Sequence, residues 1–120
     1  MNERREHLRW QIDRGAEVAF ENGVKAIPCT VEDISQGGMR LSLRRDLFDD
    51  VFSNFKLALA EDFELRIEAQ VVWRQSGYES STYGLAFHPG SMFVKESIEG
   101  YIRKNFPELL VRHLWKDLNA

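Results

Sequence analysis

The spacing of the apolar residues changes once along the chain, and that change constrains the fold more than any other feature. Up to Phe87 apolar side chains recur at every second position in short runs; beyond His88-Pro89-Gly90 they recur at every third or fourth. Alternation marks a strand with one buried face, and the wider spacing marks an amphipathic helix. Six runs read as strands: residues 16–20, 25–34, 39–43, 55–59, 63–75 and 82–87. Ile27, Cys29 and Val31 share one face of the second, and Met39, Leu41 and Leu43 one face of the third. The longest run places Phe63, Leu65, Ile67, Ala69, Val71 and Trp73 on one inner face, with Trp73 in the core. Pro28 marks an edge or a bulge, and Ser35-Gln36-Gly37-Gly38 is the turn of a hairpin.

Residues 44–54 are polar with apolar islands at Leu47, Phe48, Val51 and Phe52, and read either as a short helix or as a loop across the end of a barrel. Past Ser91, a candidate helix cap, Val94, Ile98, Tyr101 and Ile102 fall at helical spacing. Pro107 ends that helix and suits the first turn of another, along which Leu110, Leu114 and Leu118 repeat beside Val111 and Trp115. Strands followed by helices argue for a mainly β fold, a six-stranded antiparallel barrel with C-terminal α-helices. At 120 residues the chain is expected to form a single domain. Its parts are a charged arm (1–15), the barrel (16–90) and the helices (91–120).

The net charge of -3 argues against a general nucleic-acid binder, which relies on a basic surplus. An anion site on this chain must therefore be local. The lone Cys29 implies no internal disulfide and reads as a small buried side chain. The charged N-terminus lacks the apolar run of a signal peptide, and no stretch has the ~20 apolar residues of a membrane span. A cytoplasmic location with no membrane insertion is the expectation. His7, His88 and His113 do not fall at metal-ligand spacing, and Ser35 has no histidine tied to it. The chain is thus expected to be no enzyme, to hold no metal and to carry no resident cofactor.

Two motifs carry chemistry. Arg5 and Arg9, with Arg4 just before, form an Arg-Arg-x-x-x-Arg array. A guanidinium donates paired hydrogen bonds to phosphate and stacks on a base. Asp33-Ile34-Ser35-Gln36-Gly37-Gly38 supplies a carboxylate that can accept from a guanine edge, a hydroxyl, and glycines that admit a ligand close to the backbone. Each has an ordinary reading as well, a solvated terminus and a hairpin turn. Trp10 has two readings, packing on the barrel or a wall for a stacked base.

Taken together, and in this order along the chain, the motifs resemble the PilZ domain family. The resemblance extends to Gly38-Met39-Arg40-Leu41-Ser42-Leu43, Ala69-Gln70-Val71-Val72-Trp73-Arg74 and Tyr83-Gly84-Leu85-Ala86-Phe87, and spans about residues 3 to 105. It implies a PilZ-like six-stranded barrel and binding of the bacterial second messenger cyclic di-GMP (c-di-GMP). By the same resemblance Arg4, Arg5 and Arg9 meet phosphates and guanine, and Asp33, Ser35, Gly37 and Gly38 meet a guanine across the barrel surface. The expected function is a c-di-GMP receptor whose arginine arm closes over the ligand and alters the surface shown to a downstream protein. Formation of a homodimer is a further expectation. The alternative is an adaptor that works without nucleotide, through its C-terminal helices. Residues 107–120 lie beyond the family pattern.

Overall fold

The computed structural model describes residues 9–21, 25–60, 63–88 and 92–110. Seven strands form one antiparallel sheet: β1 (Arg9–Phe20), β2 (Ile27–Ser35), β3 (Gly38–Leu43), β4 (Phe55–Ala60), β5 (Phe63–Ile67), β6 (Ala69–Ser76) and β7 (Ser81–Phe87). Their order is β5-β4-β1-β2-β3-β7-β6, and the sheet curls into a half-barrel. A 3-10 turn (Asp49–Ser53) and helix α1 (Met92–Asn105) complete the fold.

The mainly β architecture with a C-terminal helix is the expected one. The strand count rises from six to seven because the run 63–75 breaks at Glu68. Its halves become β5 and β6, which lie at opposite edges of the sheet. The first strand is also longer than its alternating core, starting at Arg9 rather than Ala16. Residues 9–15, expected in the arm, therefore belong to the sheet. The polar segment 44–54 holds the 3-10 turn, whose Phe52 is fully buried.

The concave face is lined by the residues that alternate inward, among them Val18, Val31, Leu41, Leu57 and Ile67, all inaccessible to solvent. Apolar burial of this kind contributes about 25 cal/mol per Å² and is the main force holding the sheet curled. Phe52 meets Phe20, Phe55 and Tyr83 at ring distances of 5.3, 5.5 and 5.0 Å, closing the core beside the last residues of β5. At the other end of that strand Phe63 meets Tyr101 of α1 at 4.8 Å. The helix buries Val94, Ile98, Tyr101 and Ile102, the four positions its spacing singled out. Residues 107–110 are again helical, beginning at Pro107. Ser91, Leu114, Trp115 and Leu118 lie outside the described residues.

The loop after β3 is fastened to the β6–β7 hairpin by a polar cluster. Arg74 reaches Asp46 and Asp49, each at 2.7 Å, and lies over the Tyr83 ring at 5.0 Å. The Tyr83 hydroxyl accepts from the Leu47 amide at 2.7 Å. Ser76 and Ser81 donate to the Asp46 carboxylate at 3.2 and 2.8 Å. The hydrogen bonds from Ser81, Arg74 and Ser76 hold that carboxyl below its ordinary range.

Candidate functional site

The site lies on the convex face and is set up by β-bulges. A bulge inserts one residue into a strand and reverses which side the following residues face. On β2 Val31 pairs with Leu41 of β3, but Asp33 pairs with Arg40, so β2 carries an extra residue at Glu32. Period two alone would put Asp33 inside with Ile27, Cys29 and Val31. The bulge instead puts Ile34 inside, between Trp10 and Met39, and turns Asp33 outward beside Arg40. The neighbouring β1 shifts register at the same level, where Asp13 takes the left-handed φ of 45° that Asp tolerates better than most residues.

On β6 Val71 pairs with Leu85 while Trp73 pairs with Gly84, so Val72 is an extra residue. Trp73 is thereby moved out of the core, where its alternation had placed it, and is 43% exposed. Arg74 takes the Tyr83 side instead. The pairings now read straight across the sheet, from Gln11 through Asp33, Arg40 and Gly84 to Trp73. The indole lies over Gly84. A β-carbon there would meet the ring, with Cδ1 and Cε2 at 2.7 Å. Glycine at 84 is what lets an aromatic face lie flat on this part of the sheet.

Asp33 is buried, although it is a carboxylate on the outer face. Arg40 covers it, with Nη2 3.1 Å from Oδ2, and Arg9 approaches from β1 with Nε 3.8 Å from Oδ1. Arg40 also pairs with Glu32 at 3.1 Å. The hydroxyl of Ser35 accepts from the amides of Gly37 and Gly38, both at 3.1 Å, and so shapes the turn. The Phe87 amide donates to the Gly37 carbonyl at 2.9 Å, which ties the turn to β7. Gly38 has no room for a side chain, because a β-carbon would run into the Leu85 carbonyl. Beyond the turn, Gln36 donates to Glu99 of α1 at 3.1 Å, and Glu99 also accepts from Arg103 at 2.9 Å.

Arg9, Ser35, Gly37, Gly38, Arg40 and Trp73 line a hollow of about 230 Å³. Of the residues singled out in the sequence, Arg9, Ser35, Gly37 and Gly38 therefore share the hollow, and Asp33 is joined to them through its ion pairs with Arg9 and Arg40. Arg4 and Arg5 lie outside the described residues. Trp10 packs in the core, the first of its two readings. Arg40 and Trp73 line the same hollow and were not singled out in the sequence as site residues. Arg40 left a signal, an outward arginine directly after the Gly-Met of the turn. Trp73 left none, because a bulge without Gly or Pro does not interrupt an alternating run. Among the described residues no group of His, Cys, Asp and Glu could hold a metal ion.

The family model for the PilZ domain matches residues 3–104. The chain belongs to the PilZ domain family. Solved structures agree in fold. The PilZ domain of YcgR from Escherichia coli with c-di-GMP superposes with a TM-score of 0.67 at 14% identity, covering 92% of this chain and 98% of that one. YcgR from Escherichia coli in complex with c-di-GMP gives 0.64 at 17% identity, covering 96% of this PilZ domain and 50% of that chain. The MrkH–c-di-GMP complex from K. pneumonia gives 0.63 at 20%, covering 96% and 56%. This PilZ domain thus spans about half the length of those two longer relatives. A search of curated proteins returned no significant match. Among the described residues no helix is long and apolar enough to cross a membrane.

Proposed function

We propose that this PilZ domain is a receptor for cyclic di-GMP, held on the convex face around the β2–β3 turn. The observation that carries the reading is the cross-strand row ending in Trp73. Trp73 and Arg40 of that row line the hollow with Arg9, and the buried Asp33 carboxylate is paired with both arginines; a flat aromatic face, guanidinium groups and a carboxylate are the groups that a guanine and its phosphate call for. Arg9 would bind phosphate and stack on the base, Asp33 would accept from the guanine edge, and Trp73 would wall it. The bare backbone at Gly37 would let the ligand approach closely. The solved complexes of YcgR and MrkH with c-di-GMP support the choice of ligand.

The hollow is smaller than the ~300–1,000 Å³ of pockets that enclose drug-sized ligands. A dinucleotide would be only half covered, and Arg4 and Arg5 would close over the rest. The Gln36–Glu99 bond would then carry the change at the turn to α1, where exposed Met92 and Phe93 offer a surface to a downstream protein. That same apolar pair is the observation favouring the second reading, an adaptor acting through α1 without nucleotide.

The test is a calorimetric titration of the full chain with c-di-GMP, with Arg9→Ala and with GMP in place of the dinucleotide. The receptor reading predicts saturable binding that Arg9→Ala weakens by about 2 kcal/mol or more. The absence of binding by the folded wild type would leave the adaptor.

A further inference from the structure

A second, larger recess lies at the end of the β2–β3 hairpin away from its turn, where β2 begins and β3 ends. Its volume is about 680 Å³, within the range of pockets that hold small molecules. The floor is apolar, made by Ile27, Pro28 and Leu43. Cys29 lines it too, and burial, with a smaller contribution from Glu17, pushes its thiol up to about 12, so at neutral pH it presents an uncharged surface. Lys25, Arg44 and Arg45 stand around the rim, and among the described residues no acidic side chain lines the recess.

Two observations give these cations meaning. None of the three has an ion-pair partner among the described residues, so their charge is not taken up by a neighbouring carboxylate. Asp46 and Asp49, which follow Arg44 and Arg45 along the chain, are already held by Arg74. Three positive charges without an ion-pair partner among the described residues thus line one apolar hollow of a chain whose net charge is -3. Surface cations scattered for solubility would not be expected to ring an apolar floor, and a bare phosphate site would not need one.

We infer that this recess binds a small amphiphilic anion, an apolar chain or ring ending in a carboxylate, with the body on the Ile27–Leu43 floor and the charge among Lys25, Arg44 and Arg45. Guanidinium forks suit a carboxylate, and an apolar floor that partly excludes water strengthens the attraction. This site is separate from the dinucleotide hollow, which lies at the turn end of the same hairpin, and does not depend on it.

The experiment is an amide chemical-shift titration of the isotopically labelled full chain with octanoate, run beside octan-1-ol and inorganic phosphate. The expected result is saturable movement of the Ile27, Cys29, Thr30 and Leu43 amides with octanoate, and much weaker effects with the other two. In Arg44→Gln/Arg45→Gln, whose exposed sites leave the fold intact, octanoate affinity should fall about fivefold to tenfold. An unchanged spectrum away from the recess would verify that fold. Octanoate leaving those amides unmoved at millimolar concentration would overturn the inference, as would equal binding of octan-1-ol. Equal shifts with phosphate alone, or undiminished affinity in the double variant, would overturn it as well.

Discussion

The pairing of Asp33 with Arg40 predicts an asymmetry between two substitutions. The Asp33 side chain is 3% exposed and that of Arg40 is 36% exposed, at 3.1 Å separation. At an effective dielectric of ~20, two unit charges at that distance attract by about 5 kcal/mol. Water reaches the arginine, and its side chain must be ordered, so the net value falls to about 2–3 kcal/mol. Arg40→Gln strands a buried carboxylate with only the more distant Arg9, and should cost most of that sum. Asp33→Asn leaves two arginines that can turn to solvent, and keeps a side-chain oxygen that can still accept from them. It should cost about 1 kcal/mol. Urea denaturation of both variants and of the double variant measures the two costs and their coupling. Equal costs within about 0.5 kcal/mol, or Asp33→Asn the more damaging, would refute the reasoning, because burial would then not decide which partner matters.

Three further outcomes follow from the same geometry. Tyr83→Phe removes the hydroxyl that accepts from the Leu47 amide and should cost about 1–2 kcal/mol in urea denaturation. Gly38→Ala drives a methyl into the Leu85 carbonyl and should cost about 1–3 kcal/mol, read as a drop in Tm. Asp46 has a folded-state pKa depressed below 3.8, so its contribution is complete above that value and is lost as pH falls through the folded pKa. Stability measured against pH should therefore fall less steeply below about pH 4 in Asp46→Asn than in the wild type.

Much of this fold could be read from alternation, and its failures trace to bulges. The core positions Val31, Leu41, Leu57 and Ile98 followed directly from period and spacing. The extra residue at Glu32 reversed Asp33, and the one at Val72 reversed Trp73, without a Gly or Pro to mark either. Asp33 was still singled out, because its chemistry next to Ser35 and the glycines was legible independently of its face. Trp73 was not, since an aromatic in an apolar run looks like core. The division of 63–75 into two edge strands was equally hidden. Glu68 interrupts no pattern, and only the pairing of β5 with β4 and of β6 with β7 separates the halves. The site is thus most legible where residue type is decisive and least where register is.

In the proposed receptor the dinucleotide lies on the convex face between the β2–β3 turn and Trp73. An amide and indole chemical-shift titration with c-di-GMP tests this placement most directly. Movement centred on Gly37, Gly38 and the Trp73 indole, with the Ile27 and Leu43 amides unmoved, is the predicted result. Movement confined to α1 or to the far end of the hairpin, with Trp73 unchanged at saturation, would contradict it.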